Sequence, residues 1–321
     1  MSKYTLDFEA PLRALEEKIE SLHSTAIKTG IDVSTGIQEL EDELALKKSS
    51  IYKKLTRWER VQLARHPKRP YSSDYIERIA DEFIELHGDR HFSDDTAIIG
   101  GIGKISGQSF LIIGQEKGRG TKNKLYRNFG MPRPEGYRKA LRLMKLAEKF
   151  KIPVLTIIDT IGAYPGLGAE ERGQAEAIAR NLFEMARLNV PVISIVIGEG
   201  ASGGALGIGV ADRLLCFENT WYSVISPEGC ASILFRDATR APEAADSMKV
   251  TAQDLYDMGI ADKIIQEPEG GAHLNYDESA TIMKEVILEE FADLKTKTSE
   301  QLIDDRMAKY EKMGRWDELN E

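Results

Sequence analysis

Apolar residues recur at helical spacing along the first sixty positions. Phe8, Leu12, Leu15, Ile19 and Leu22 lie 4, 3, 4 and 3 residues apart, which traces one face of a helix or a short coiled-coil seam. Pro11 falls in the first turn, where proline is tolerated. Thr29-Gly30-Ile31-Asp32 breaks the pattern, and Ile37, Leu40, Leu44, Ile51 and Leu55 mark a second helix. Two amphipathic helices without a sheet beneath them cannot hide both apolar faces. A hairpin that docks on the main domain or on another subunit is expected, and the pattern leaves both open.

From Ala97 the period shortens. AIIGGIGKI and SFLIIGQ read as two strands joined by a short turn. Gly101, Gly103 and Gly107 do not fit G-x-G-x-x-G and lie inside a hairpin, which rejects a dinucleotide fingerprint. KGRGTKNKLYRNFGMPRPEG reads as a loop because of its Gly and Pro. It runs into a helix with Tyr137, Leu141, Met144, Ala147 and Phe150 on its apolar face. The chain then repeats itself. IPVLTIID (152–159) and VPVISIVIG (190–198) are continuous apolar strands whose prolines, Pro153 and Pro191, are 38 residues apart. Each strand ends in a Gly-rich loop that opens a helix, as expected for parallel strands with helices outside. LLCFENTWYSVISPEGCASILF reads as short strands and a turn. An acidic helical tail from about Asn275 carries Ile282, Val286 and Phe291 as its buried positions. The expected organisation is a helical extension over 1–60, a main domain over 61–274 and a helical tail over 275–321.

Composition narrows the classes. The 321 residues carry 43 Lys+Arg and 52 Asp+Glu, a net charge of -9. That balance argues against a basic nucleic-acid binder. The charge is uneven, however. Residues 117–151 hold 12 Lys+Arg and only Glu135 and Glu148 as acids. Such an island suits an anionic partner or a solvated face. With 42% hydrophobic and 30% charged residues the chain can build a core. Two cysteines, Cys216 and Cys230, exclude a disulfide framework or a four-cysteine zinc site within the chain, and point to a reducing compartment. The N-terminus has no apolar signal region. The apolar stretch 190–210 contains Glu199 and six glycines, so it reads as strand, turn and helix rather than a membrane span.

The sharpest chemical candidate is GEGASGGALG (198–207). Glycine lets backbone approach a ligand closely. The first N–H groups of a helix lack intrahelical acceptors. The Gly203 and Gly204 N–H groups are therefore a candidate oxyanion hole, set against a simple tight turn. Gly200 to Gly204 also fits G-x-S-x-G, which would make Ser202 a nucleophile. The only downstream histidine, His273, would have to serve as its base, and EPEGGAHLN reads as a surface loop. TIGAYPGLGAEE, at the equivalent strand end, is expected to share the pocket, with Glu170 and Glu171 complementing a helix start. His87 and His91 read as loop residues near Asp94 and Asp95. Trp58, Trp221 and Trp316 read as core or contact residues.

Taken together, these stretches resemble the α subunit of bacterial acetyl-CoA carboxylase carboxyltransferase. The resemblance rests on LDFEAPLRALEEKI, QLARHPKRPYSSDYI, EKGRGTKNKLYRNFGMPRPEGYRKALRLM, IDTIGAYPGLGAEERGQAEAIARNL, VIGEGASGGALGIGV and YSVISPEGCASILF, and covers nearly the whole chain. It implies an α/β crotonase-like (ClpP/crotonase) fold of repeated ββα units with an N-terminal helical extension. It implies carboxyl transfer from carboxybiotin, held on a biotin carboxyl carrier protein, to acetyl-CoA, giving malonyl-CoA for fatty-acid biosynthesis in the cytoplasm. It also implies an α2β2 assembly with a zinc-containing β subunit, alongside biotin carboxylase. The family's catalytic glycine pair matches Gly203 and Gly204. Gly162, Ala163, Tyr164, Pro165 and Gly166 are the expected substrate-binding loop, and Lys117, Arg119 and Lys122 are expected at CoA phosphates or the subunit contact. Ile161 and Ala201 depart from the family's usual proline and glycine.

Overall fold

The computed structural model describes residues 3–314. The N-terminal hairpin forms from α1 (Ala10–Thr29) and α2 (Ser34–Tyr52), with Gly30 at φ 70 closing the first helix. Its base docks on the chain itself. Tyr4, Leu12 and Tyr52 pack with Leu63 of α3 (Arg57–Ala64), and Leu274 joins them. Ile27, Ile31 and Leu46, toward the far end, are exposed.

After α4 (Ser72–Ile79) the sheet begins with a short edge strand, β1 (Glu82–Glu85), which the sequence pattern did not reveal. β2 (Ile98–Ile105) and β3 (Gln108–Gln115) form the expected antiparallel hairpin. Ser106 and Gly107 turn it at φ 49 and 76, the positive pair that matches strand twist. The Gly/Pro-rich segment differs from a plain loop, because α5 (Gly120–Tyr126) lies within it, entered through Gly118 and Gly120 at positive φ. Then follow α6 (Pro134–Phe150), β4 (Val154–Thr160), α7 (Leu167–Glu171), α8 (Gln174–Ala186), β5 (Val192–Ala201) and α9 (Ser202–Leu206). β6 (Arg213–Phe217) and β7 (Trp221–Ser223) come next, then α10 (Pro227–Phe235). The expected turn at PEGCASILF is thus a helix. Ser226 caps it by accepting from the Gly229 N–H (3.1 Å), and Pro227 opens it. α11 (Ala241–Met248), α12 (Ala252–Asp257), β8 (Lys263–Ile265), α13 (Tyr276–Leu294) and α14 (Ser299–Glu311) complete the chain.

The sheet runs β1-β2-β3-β4-β5-β6-β8, with β7 pairing β5 beyond β6. From β3 onward the pairs are parallel. The 38-residue repeat is the register itself: Val154 pairs Val192, Leu155 pairs Ile193 and Thr156 pairs Ser194. Thr156 and Ser194 hydroxyls bond at 2.6 Å in the interior, and Thr156 Oγ1 donates to the Ile208 carbonyl. The repeated strands are apolar throughout because both faces are covered. Val154, Ile158, Val192 and Val196 face the α6 and α8 layer, while Leu155, Ile157, Ile193 and Ile195 face α4 and α13. In the tail the buried face is rotated by one residue from the sequence expectation. Met283 and Ile287 are buried with Phe291, and Ile282 and Val286 are half-buried beside them.

Candidate active site

Three parallel strands end side by side and present Gln115, Asp159 and Glu199, followed by the loops that leave them. Two networks of buried polar groups hold those ends.

The first fixes the glycine turn. Gln115 is fully buried, and its side-chain carbonyl accepts from the Asp159 N–H (3.1 Å) while its amide donates to the Gly204 carbonyl (2.7 Å). Tyr137 on α6 donates to the same carbonyl at 3.2 Å. Asn181 on α8 ties the Tyr137 and Gly207 carbonyls together (3.1 and 2.9 Å). The glycine pair lies inside the first turn of α9 rather than ahead of it. Among the described residues no loop or turn carbonyl accepts from the N–H groups of Gly203 or Gly204, and a first-turn N–H has no intrahelical acceptor. Gly204 packs so closely on the next loop that a Cβ would overlap the backbone of Gly162 and Ala163. Gly203 has room: a Cβ there would meet only Ile178, at 3.6 Å.

The second network is ionic. Lys117, just past β3, places its ammonium 2.7 Å from both Asp159 and Glu199. Burial alone would lower its pKa, but Asp159 and Glu199 outweigh it and hold the ammonium above the usual lysine range. Burial likewise opposes ionisation of Glu199, yet Lys117 and Arg65 keep its pKa low. Asp159 is shifted upward by burial, with Lys117 offsetting it in part. Arg65 bonds Glu199 at 2.6 Å, reaches Glu228, and lies over the rings of Trp58 and Trp221. Lys117 is therefore committed to two carboxylates, where the sequence led to the expectation of a contact with CoA phosphates or with the partner subunit. A 200 Å³ cavity above this network is lined by His66, Tyr71, Phe129 and Ile161 as well as Lys117 and Glu199.

The loop after β4 is shaped by hydrogen bonds. Thr160 Oγ1 lies 2.6 Å from the Gly130 carbonyl and 2.8 Å from that of Gly162, and Gly162 takes φ 137. Tyr164 N–H donates to the Pro132 carbonyl at 3.0 Å, and Gln174 donates to the carbonyls of both residues (2.9 Å each). Arg133 lies over the Tyr164 ring, and Pro165 is exposed beside Gly166 at the start of α7. Glu170 and Glu171 are exposed on α7, with Glu170 in its first turn.

The other candidates scatter. Arg119 is pinned between the Tyr71 and Tyr276 rings and pairs with Asp74 at 2.8 Å. Lys122 is exposed on α5, with no ion-pair partner among the described residues. Ile161 is exposed on the cavity wall. Ala201 takes φ -102 and ψ 132, extended backbone in which a Cβ costs nothing. Ser202 does sit at φ 59, a left-handed backbone such as a strained elbow uses. It makes no hydrogen bond to a histidine among the described residues, however. His273 is buried rather than on a surface loop, and stacks on His66 with ring centroids 3.9 Å apart. His87 and His91 are exposed loop residues, with His87 3.1 Å from Asp94. Trp221 is buried and Trp58 half-buried, while Trp316 lies outside the described residues. Gln115, Tyr137 and Asn181 escaped sequence reasoning. Glu199 and Asp159 carried a signal, as acids closing apolar strands.

Comparisons with known proteins agree on one family. A family model described as acetyl co-enzyme A carboxylase carboxyltransferase-like matches residues 5–314. The acetyl-coenzyme A carboxylase carboxyl transferase subunit alpha of Flavobacterium johnsoniae is 55% identical over 98% of this chain and 99% of its own. The same subunit of Chlorobium limicola is 54% identical (98% and 99%), and that of Staphylococcus saprophyticus 54% (98% and 100%). Among solved structures, transcarboxylase 12S superposes with a TM-score of 0.59 at 19% identity, over 71% of this chain and 42% of that one. The geranyl-CoA carboxylase beta subunit of P. aeruginosa gives 0.54 at 18%, over 76% and 46%. The chain thus spans less than half the length of those solved chains, and the likeness establishes the crotonase-like α/β fold. By sequence over almost its whole length and by fold, the chain belongs to the acetyl-CoA carboxylase carboxyltransferase α-subunit family.

Proposed function

We propose that this chain is the α half of a carboxyltransferase that moves a carboxyl group from carboxybiotin to acetyl-CoA, and that Gly203 and Gly204 supply N–H donors to the biotin side of the reaction. The observation that carries the reading is the glycine turn: two unpaired N–H groups held in place by Gln115, Tyr137 and Asn181, in a chain of this family. In the reaction the N–CO2 bond of carboxybiotin breaks and negative charge develops on the ureido oxygen. The biotin nitrogen accepts the methyl proton of acetyl-CoA, and the resulting enolate forms the new C–C bond to CO2. No side-chain nucleophile is needed, and Ser202 has no hydrogen bond to a histidine among the described residues. Preorganised N–H donors suit an oxyanion, each worth about 3–4 kcal/mol in rate. The exposed Ile161, beside the loop Gly162–Gly166, offers an apolar surface to the thioether ring of biotin, while the polar ureido ring faces the N–H donors.

The reading includes a zinc-containing β subunit that brings the second oxyanion site, an α2β2 assembly, delivery of carboxybiotin by a biotin carboxyl carrier protein loaded by biotin carboxylase, and a cytoplasmic setting. Among the described residues no helix is long and apolar enough to cross a membrane. The test is reconstitution. The chain, a candidate β subunit, carboxylated carrier and acetyl-CoA are expected to yield malonyl-CoA, with Ser202→Ala retaining the activity. Absence of product from an assembled complex, or covalent labelling of Ser202 by a serine-directed phosphonate, would overturn it.

A further inference from the structure

A cleft of 860 Å³ opens between α6, α8 and the segment 89–92; neither Gly203 nor Gly204 lines it, although Asn181, which braces their turn, does. Five arginines do: Arg90, Arg138, Arg142, Arg172 and Arg180, against two carboxylates, Asp89 and Glu176. Three of the five are neutralised. Arg138 pairs with Asp89 at 2.8 Å, Arg172 grips Glu135 with two bonds (2.8 and 3.1 Å), and Arg180 pairs with Glu184 at 2.5 Å.

Arg90 and Arg142 are different. Neither has a carboxylate partner among the described residues. Both are anchored on the same turn by backbone carbonyls. Arg90 Nη1 donates to His87 O (2.7 Å), and Arg142 donates to Gly88 O (3.0 Å) and His87 O (3.2 Å). The backbone of Arg90 is held at φ 65. Two like charges fixed on one turn repel each other. Burial, with the charge of Arg90, holds Arg142 below the usual arginine range, and Asp94 and Asp89 offset this only in part. Each guanidinium keeps further N–H donors unspent, in the planar fork that matches phosphate oxygens. A multiply charged phosphate would relieve the repulsion and use those donors.

We propose that Arg90 and Arg142 form a phosphate-binding site in this cleft, taking the phosphate groups of a soluble phosphate ester. The ligand is a small polyanion, such as a nucleoside diphosphate or the diphosphate arm of coenzyme A. The exposed Phe92 ring, which also lines the cleft and carries Arg172 at 4.5 Å, gives an apolar wall beside the charge.

The test reads binding to the full chain by calorimetry, separate from any carboxyl transfer. Inorganic pyrophosphate is the probe. Saturable binding that weakens with added salt is expected. Arg90→Gln, an exposed side chain with one backbone contact, should keep the parent melting temperature and weaken binding about tenfold, the loss of one charge-assisted contact. Arg142→Gln should weaken it at least as much. Coenzyme A that competes with pyrophosphate identifies a CoA phosphate as occupant. Pyrophosphate binding without such competition assigns the site to another phosphate ester. No saturable binding, or parent-like affinity in folded Arg90→Gln, overturns the proposal.

Discussion

Gly203 and Gly204 are neighbours with different reasons to be glycine. At Gly204 a Cβ would overlap the backbone of Gly162 and Ala163, so the residue joins two loops by close approach. At Gly203 a Cβ would make only ordinary contact with Ile178. The two substitutions should therefore separate. Gly204→Ala is expected to cost about 1–3 kcal/mol of stability through overpacking, read by denaturant unfolding. Gly203→Ala should unfold within about 1 kcal/mol of the parent, yet lower kcat of the assembled enzyme at least tenfold by crowding the donor edge. Equal stability losses in both variants, or full activity in Gly203→Ala, would contradict this assignment. The glycine pair was legible from its place between an apolar strand and a helix. Gln115, Tyr137 and Asn181 were not. Nothing local marks a glutamine at the end of a strand as the clamp of a carbonyl 89 residues away.

Among the elements, the parallel strands were the most legible, because burial on both faces leaves a continuous apolar run and the 38-residue repeat is their register. Helices were legible only where one face is buried. α10 was missed because its apolar residues do not form one stripe: Ile233 and Leu234 are exposed. The last helix, α14, is held by a polar anchor that periodicity does not reveal. Arg306 is fully buried, bonds Asp212 at 2.9 and 2.8 Å, and donates to the carbonyls of Met185, Leu188 and Val190. Asp212 in turn accepts from the Val192 N–H, where β5 begins. Arg306→Ala leaves the buried Asp212 without its ion-pair partner, and is expected to lower unfolding stability by about 3–5 kcal/mol. Arg306→Lys should recover little of it, since an ammonium cannot reproduce the planar fork. A loss below about 1 kcal/mol in urea unfolding would show that α14 is held by apolar packing instead.

Across the whole molecule, long-range contacts set the acid sensitivity. His66 joins the N-terminal segment, through Thr5 at 2.9 Å, to His273 near the start of the tail. Burial, then Lys68 and Arg69, push His66 down to about 4. Burial, then His66 and Arg69, push His273 down to about 3. The unfolded chain takes up these protons near pH 6.5, where the folded chain does not. Stability should therefore fall as pH drops from 6.5 toward about 4. Below about 4.5 Glu267 adds to the fall, since Arg69 overcomes burial and holds its folded pKa at about 2. His273→Phe should flatten the melting-temperature profile between pH 6.5 and 4.5, and an unchanged slope would refute the role of the pair. By itself the sequence determined the doubly covered parallel strands, the glycine turn and the N-terminal hairpin, because each follows from spacing within a short window, and the resemblance of long motifs along nearly the whole chain pointed to the family. Only the tertiary structure decided where the charges of the basic island go. Lys117 is held by Asp159 and Glu199, Arg119 by Asp74 and two tyrosines, and Lys139 by Asp94, while Arg142 faces the charge of Arg90 with no paired carboxylate among the described residues. A charge is neutralised by whatever lies within a few ångströms, and for Lys117 and Glu199 that neighbour is 82 residues away.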